Sequence, residues 1–172
     1  MKIVNPEDVC GIGNGVVNPL AAVEPGLLYD ITFSDYIGYL KTFDISWELL
    51  IPFDNPTDVK EIQKIKPYNL NVPSFFKLLS EDQDVCDFKR KVKHVGVESA
   101  STYRARLGDV DGIEISVYPT ELSFIGAQEM TFKLTVRIID WSKNKANSFH
   151  TYLEWYNAKY NVRSSILIAK KD

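Results

Sequence analysis

The sequence is poor in the residues that most often carry catalysis or bind metals. Its 172 residues include two histidines and two cysteines. Nucleophilic catalysis needs a Ser or Cys whose proton a neighbouring base accepts, and His is the usual base. His94 and His150 each lie in a predicted strand, beside Val95 and Phe149, so we interpret both as structural histidines. We therefore predict no catalytic residue.

The cysteines and histidines are too scattered for a zinc site. Cys10, Cys86, His94 and His150 lack the close ligand pairs of a compact tetrahedral site. The two thiols either pair or stay free, and we favour free thiols. The glycines in 11–15 lack the strand-loop-helix context of a phosphate-binding loop, so we interpret them as a turn. We predict neither a metal site nor a cofactor site.

A surplus of positive charge and a long apolar run are also absent. Lys and Arg number 20 against 23 Asp and Glu, for a net charge of -3. Nucleic-acid binding needs clustered positive charge, and crossing a bilayer needs about 20 consecutive apolar residues. We therefore expect neither nucleic acid nor a membrane as a partner. The opening MKIVNPEDVC lacks the apolar run of a secretion signal, so we expect no export signal in this chain.

Three carboxylates lie close together in the sequence. Asp109, Asp111 and Glu114 surround a turn that also contains Gly108 and Gly112. Paired acids can perform general acid-base chemistry. A solvated turn before a strand explains them more simply, and we adopt that interpretation.

The segment KRKVKH, residues 89–94, is the most basic stretch. In a strand Lys89, Lys91 and Lys93 share one face. Lysines in such positions commonly keep a sheet from pairing with other chains. We interpret them as solvated protection of a strand rather than as a ligand site.

Hydrophobic residues make up 45% of the chain, enough for the core of one ordinary domain with an appendage. The pattern changes near position 66. Before it we predict short helices, one over SDYIGYLKTF capped by Ser34 and one over DVKEIQKI with Asp58 and Glu61 as a capping box. After it, apolar residues alternate with polar ones between turn signals, which predicts antiparallel strands in a β-sandwich.

Eight strands are predicted in this second part. In MTFKLTVRII the apolar residues Phe132, Leu134, Val136 and Ile138 share one face, as in a half-buried strand. The predicted strands are NLNVPSFFKLL from Asn69, DFKRKVKHV from Asp87, STYRARL from Ser101, GIEISVYP from Gly112, ELSFI from Glu121, MTFKLTVRII from Met130, FHTYLEWYN from Phe149 and YNVRSSILIA from Tyr160. The fold class is thus mostly β, with an N-terminal segment of loops and short helices.

Several motifs resemble those of plant subtilisin-like serine proteases. GNGVVNPLAAVEPGLLYD at 13–30, followed by DYIGYL, is similar to the family pattern GxGHVNPxxAxxPGLVYD and DYxxFLC at the end of the protease domain. Further matches are LNVPSF at 70–75 to LNYPSF, RKVKHVG at 90–96 to RTVTNVG, STYRARL at 101–107 to STYxVxV, GIEISVYPTELSF at 112–124 to GVxVxVxPxxLxF, LEW at 153–155 to LxW, and VRSSI at 162–166 to VRSPI. The order and spacing of these motifs make the resemblance specific.

The resemblance implies two parts. Residues 1–65 would be a remnant of the C-terminal end of a subtilisin-like protease domain, and residues 66–172 a fibronectin type III-like β-sandwich. The family pattern has His where this chain has Val16 and Cys where it has Lys41. The family's catalytic Asp, His, Ser and oxyanion-hole Asn lie in DTG, HGT and GTSM contexts, none of which occurs here. This departure predicts that the chain cleaves no peptide bond by itself.

Three functions are compatible with these features. The first is a non-catalytic C-terminal region of a subtilisin-like serine endopeptidase, which supports the protease domain and contributes to substrate access or self-association. The second is part of an active endopeptidase whose catalytic portion is missing from this sequence, and the third is an independent protein-binding module. The family implies an extracellular location, a protease domain or a second copy as partner, and peptide substrates only through the full enzyme.

The apolar residues of 16–29 pose a further question. In the resembled enzymes such residues pack against the protease domain, which this chain lacks. We expect them to fold onto the sandwich, to bind a partner or to stay exposed. Each large apolar side chain left in water forgoes roughly 1.5–3 kcal/mol.

Overall fold

The computed structural model describes residues 17–43, 61–80, 82–126, 129–143 and 147–171. Two helices lie near the N-terminus of this part, α1 (Pro19–Val23) and α2 (Phe33–Leu40). The strands are β1 (Leu27–Leu28), β2 (Ser74–Leu79), β3 (Val85–His94), β4 (Ala100–Leu107), β5 (Ile113–Tyr118), β6 (Glu121–Ile125), β7 (Glu129–Ile138), β8 (Ser148–Tyr156) and β9 (Asn161–Lys170). The predicted fold class is confirmed: the chain is mostly β, with short helices near its N-terminus.

The strands form two sheets packed face to face. The first sheet has the order β1-β3-β7-β5, and the second has the order β2-β9-β8-β4-β6. All eight predicted strands are present, and β1 is a further strand that we did not predict. Its Leu27 and Leu28 pair antiparallel with His94 and Lys93 of β3.

One strand pair is parallel, contrary to the antiparallel pattern that we expected throughout. Strand β2 pairs with β9 in parallel, from Ser74 opposite Ser165 to Leu79 opposite Lys170. Parallel neighbours need a long connection between them. The chain between β2 and β9 provides it, because it contains the strands from β3 to β8.

The core lies between the sheets and is rich in aromatic rings. Alternation within each strand directs one face inward, and Phe132, Leu134, Val136 and Ile138 of β7 are buried as predicted. The Phe132 and Trp155 rings pack edge to face with centroids 5.1 Å apart. The largest fully buried side chains are Trp155, Tyr103, Phe75, Phe88, Phe124, Phe132, Phe149, Leu79, Leu122, Leu134, Leu153 and Ile166.

The helix predictions need correction. Ser34 is not the cap of α2, because Thr32 is the N-cap and Asp35 completes a capping box with it. The Thr32 side chain accepts from the Asp35 amide, and the Asp35 carboxylate accepts from the Thr32 amide at 2.8 Å. The second predicted helix is wrong in its C-terminal half, since residues 62–66 form no helix, and Asp58 lies outside the described residues.

Candidate docking surface

Residues 24–30, which we call the strap, are built into the sandwich. The strap contains β1, and the Val95 amide donates to the Gly26 carbonyl at 2.9 Å. Leu27 is 3% exposed and belongs to the hydrophobic core. Part of 1–65 thus packs against the sandwich of 66–172, and the division of the chain into these two domains stays a prediction.

Gly26 is the tightest point of contact between the strap and the sandwich. Its φ of +76° lies in the left-handed region that favours glycine. A Cβ at this position would lie 2.6 Å from Tyr160 Cγ and 2.9 Å from Tyr103 Oη. Only glycine therefore satisfies both the backbone conformation and the space at this position.

The His94 ring lies at the junction between the strap and the sandwich. Its Nε2 lies 2.9 Å from the Glu98 carbonyl, and its Nδ1 lies 3.1 Å from Tyr103 Oη and 3.2 Å from the Gly26 carbonyl. In the tautomer with the proton on Nε2, the ring donates to Glu98 and accepts from the Tyr103 hydroxyl, and the Gly26 carbonyl is a neighbour of Nδ1 rather than its hydrogen-bond partner. This geometry connects the strap, the loop after β3, and β4 in the other sheet.

The C-terminal half of the strap is held by Tyr29 and Asp30. The Tyr29 hydroxyl lies 2.9 Å from Ser164 Oγ, and burial raises the pKa of Tyr29 to about 12. The Asp30 carbonyl accepts from Asn71 Nδ2 at 2.9 Å. Asn71 also exchanges two hydrogen bonds of 2.8 Å with the backbone of Lys91, as a neighbouring strand would. The PGLLYD and VRSSI motifs therefore meet in space.

An exposed ionic cluster fastens the other end of the strap. Lys159 Nζ lies 2.7 Å from Glu24 Oε1 and 2.9 Å from Glu98 Oε1, and the Tyr160 hydroxyl, which has one proton to donate, lies within hydrogen-bonding distance of both carboxylates. Hydrogen bonds from Lys159 lower the pKa of Glu24 and of Glu98. Each exposed ion pair adds little free energy. The cluster therefore fixes the position of Glu24 more than it stabilises the fold.

Apolar side chains on both sides of the strap remain in water. Leu20 and Val23 of α1 are 88% and 85% exposed, although Leu27 a few residues later is buried. We call the exposed large apolar residues of this region the docking residues: Val17, Leu20, Val23, Leu28, Phe33, Tyr36 and Phe43. Of the three fates that we considered for these side chains, Leu27 and Tyr29 of the strap fold onto the sandwich, and the docking residues stay exposed.

Helix α2 is supported by the chain that follows it. Ile37 is buried, and the Ile65 amide donates to the Gly38 carbonyl at 2.9 Å. The Lys41 ammonium donates to the Ile62 carbonyl at 3.0 Å. These contacts hold α2 while leaving Phe33 and Tyr36 exposed.

A buried arginine was not assigned from the sequence. Arg90 is 2% exposed, whereas our interpretation of KRKVKH concerned only the face shared by Lys89, Lys91 and Lys93. Its guanidinium donates to the carbonyls of Val72, Tyr68, Lys89 and Ser74 at 2.8–3.0 Å and lies 4.8 Å from the Phe75 ring centroid. Burial lowers its pKa to about 10. The alternation Phe88-Arg90-Val92 was the available signal, since all three are inward in β3.

The other residues singled out from the sequence lie apart. Cys86 is a buried free thiol whose pKa burial raises to about 11, while Cys10 and 11–15 lie outside the described residues. His150 lies on the solvent-facing side of β8. Partial burial of its ring lowers its pKa, and the Arg163 charge is a second cause. Among the residues that the structure describes, no three His, Cys, Asp or Glu side chains are grouped to hold a metal ion.

The turn carboxylates and the lysines are solvent-facing. Asp111 lies 3.6 Å from Lys143, and Glu114 lies 3.8 Å from Arg137, all of them exposed. The side chains of Lys89, Lys91 and Lys93 alternate with the inward residues of β3, and Lys91 pairs with Glu129 at 3.1 Å.

Comparison with known families agrees with this architecture. A family model described as "Fibronectin type-III domain" matches residues 69–168. The chain belongs to this family. The match begins after the strap. The strap residues that contact β3, Tyr103 and Ser164 therefore lie outside the matched range.

Similar proteins confirm the resemblance to plant subtilisin-like proteases. Subtilisin-like protease SBT4.4 of Arabidopsis thaliana is 34% identical over 162 residues, which are 91% of this chain and 22% of the relative. Subtilisin-like protease SBT5.3 of the same plant is 33% identical over 164 residues, which are 91% of this chain and 20% of the relative. This chain thus spans about a fifth of the length of these relatives.

A solved structure of the periplasmic chaperone SfaE aligns with 58% of this chain and 56% of its own, at 12% identity and a TM-score of 0.38. That score adds nothing to the family assignment. In the described ranges, neither α1 nor α2 nor any other helix has the length and apolar character needed to cross a membrane.

Proposed function

We propose that this chain is the non-catalytic C-terminal module of a subtilisin-like serine endopeptidase and that its docking residues bind the protease domain. The observation that carries the proposal is the contrast within 17–30. Leu27 is 3% exposed and Leu20 is 88% exposed, so one short segment is anchored in the sandwich and also presents apolar side chains outward. The similarity to plant subtilisin-like proteases supports a protease domain as the partner.

The anchored strap makes docking favourable. Gly26, Tyr29 and Glu24 already fix the strap, which carries Leu28 and tethers Leu20 and Val23 immediately before it. Binding then costs less conformational entropy than it would for a free tail. Covering each large apolar side chain contributes roughly 1.5–3 kcal/mol.

The module would act beside the catalytic machinery. In this proposal the protease domain supplies the catalytic residues and cleaves peptides or proteins outside the cell. The sandwich supports that domain and contributes to substrate access or to association of two copies. A peptide substrate would meet the module only within the full enzyme.

Grafting tests the proposal. We would replace the matching region of Subtilisin-like protease SBT4.4 with this chain and measure peptidase activity of the secreted protein. We expect activity from the graft and a loss of at least about tenfold with Leu20→Asp and Val23→Asp together, because two apolar contacts of roughly 1.5–3 kcal/mol each exceed the 1.4 kcal/mol of a tenfold change.

The matched control is Ile125→Asp with Ile139→Asp, two apolar side chains that are 74% and 64% exposed on other parts of the sandwich. The control should keep the activity of the graft. The isolated Leu20→Asp, Val23→Asp chain should keep the melting temperature of the unaltered chain, since both side chains are exposed. Equal activities of the docking and control variants would contradict the proposal.

A further inference from the structure

In the described ranges, one lateral side of the sandwich is covered and the other is open. On the covered side, residues 67–69 contact β2 and β3, and the Tyr68 and Val72 carbonyls accept from Arg90. On the opposite side, β5 ends the first sheet, and β6 ends the second. A cleft of about 270 Å³ opens there between the end of β4 and the start of β5.

The floor of this cleft is aliphatic. Leu107, Val110, Ile113 and Ile115 line it, and all four are half-buried side chains packed against the core. An organic cofactor or drug-sized ligand typically occupies about 300–1,000 Å³. The cleft is smaller than that range and suits a few side chains of a peptide.

The edge of β5 presents unpaired backbone groups to the same opening. The Ile139 amide donates to the Gly112 carbonyl at 2.9 Å, so Gly112 and Ile139 form a hydrogen-bonded pair of the antiparallel ladder between β5 and β7. Because such pairs occur at every second residue, the backbone N–H and C=O of Glu114 and Ser116 also point to β7. Those of Ile115 point to the outer edge of the sheet. Within the described ranges no strand pairs with that edge.

The rim of the cleft is acidic. Asp109 and Glu114 line it, and Asp111 lies between them in the turn. The exposed pairs of Glu114 with Arg137 and of Asp111 with Lys143 are long, at 3.8 and 3.6 Å, so they neutralise the rim only in part. Basic side chains are complementary to this rim.

We propose that the cleft binds an extended peptide segment of alternating apolar and basic residues, added as a strand beside β5. Its backbone would pair with Ile115, its apolar side chains would enter the cleft, and its basic side chains would reach Asp109 and Glu114. An extended backbone satisfies the edge groups, whereas the backbone groups in the interior of a helix are already paired with one another. This inference is independent of the docking residues, which lie near the opposite edge of the first sheet.

Fluorescence anisotropy with the full 172-residue chain tests it. The probes are labelled octapeptides that alternate valine with lysine, alternate valine with glutamate, or carry the valine-lysine sequence with every second amide methylated. We expect the basic peptide to bind about tenfold more tightly than the acidic one. Methylation should abolish binding, because it removes the donors of one edge of the peptide.

Charge reversal provides the matched test on the protein. Asp109→Lys with Glu114→Lys should invert the preference, so that the acidic peptide binds more tightly. Asp82→Lys with Asp84→Lys changes the net charge equally in the exposed turn before β3 and should leave the preference unchanged. If circular dichroism shows that the reversal variant is misfolded, the Glu114→Gln variant and the three peptides test the proposal in its place. Equal affinity for the three peptides, or an equal effect of both reversals, would overturn the proposal.

Discussion

Gly26→Ala is expected to lower the free energy of unfolding by about 2–6 kcal/mol. A residue with a side chain strained at a φ of +76° costs about 1–3 kcal/mol, and overpacking adds about 1–3 kcal/mol. The added methyl would lie 2.6 Å from Tyr160 Cγ, a ring that also carries the hydrogen bonds to Glu24 and Glu98. Urea unfolding followed by tryptophan fluorescence measures the change.

Gly126→Ala separates the two causes. Gly126 also has a positive φ, +69°, but no described atom lies within 4 Å of its added Cβ. Gly126→Ala should therefore carry only the cost of backbone strain, about 1–3 kcal/mol. If both variants were equally destabilised, the close packing of the strap against Tyr160 and Tyr103 would be refuted.

Arg90→Leu is expected to destabilise the chain by about 3–5 kcal/mol, a range typical of breaking a buried polar network. The leucine fills part of the space but leaves the Val72, Tyr68, Lys89 and Ser74 carbonyls without their donor. It also removes the cation that lies over the Phe75 ring. The same urea titration measures the effect.

Two further substitutions test whether the guanidinium geometry matters. Arg90→Lys keeps the charge but concentrates its donors at one atom, so it should recover only part of the lost stability. Arg104→Leu removes an arginine whose side chain is 72% exposed and paired with Glu121 at 3.2 Å, and it should cost less than about 1 kcal/mol. An Arg90→Leu chain as stable as the Arg104→Leu chain would show that Arg90 does not hold the segment before β2.

Much of the fold could be predicted because strand alternation is a local signal. In β7 the inward residues Phe132, Leu134 and Val136 recur at every second position, and all are buried. The parallel pairing of β2 with β9 could not be read in this way. It depends on which strand ends up beside β2 after residues 80–160 have folded, and periodicity carries no information on that.

The strap shows the same limit at a smaller scale. Strand β1 has two residues, Leu27 and Leu28, which are too few for a recognisable alternation between Gly26 and Tyr29. Its partners, His94 and Lys93, are distant in sequence. The family pattern PGLVYD indicated that the segment matters, but its contacts with Tyr160, Tyr103 and Ser164 emerge only from the folded sandwich.

The burial of Arg90 could have been predicted from the alternation but was not. Lys89, Lys91 and Lys93 share one face of β3, and the same alternation directs Arg90 inward with Phe88. A charged side chain is seldom placed in a core, but this guanidinium is tolerated there because four carbonyls receive its hydrogen bonds. Those carbonyls come together only in the folded chain.

Hydrogen-deuterium exchange of the chain, alone and mixed with a subtilisin-like protease domain, tests most directly whether an anchored strap presents the docking residues. We expect the amides of 26–30 to be protected in both samples. Amides of 17–23 should exchange fast in the chain alone and become protected when the protease domain is added. Fast exchange of 26–30 in the isolated chain, or no added protection of 17–23 in the mixture, would contradict this expectation.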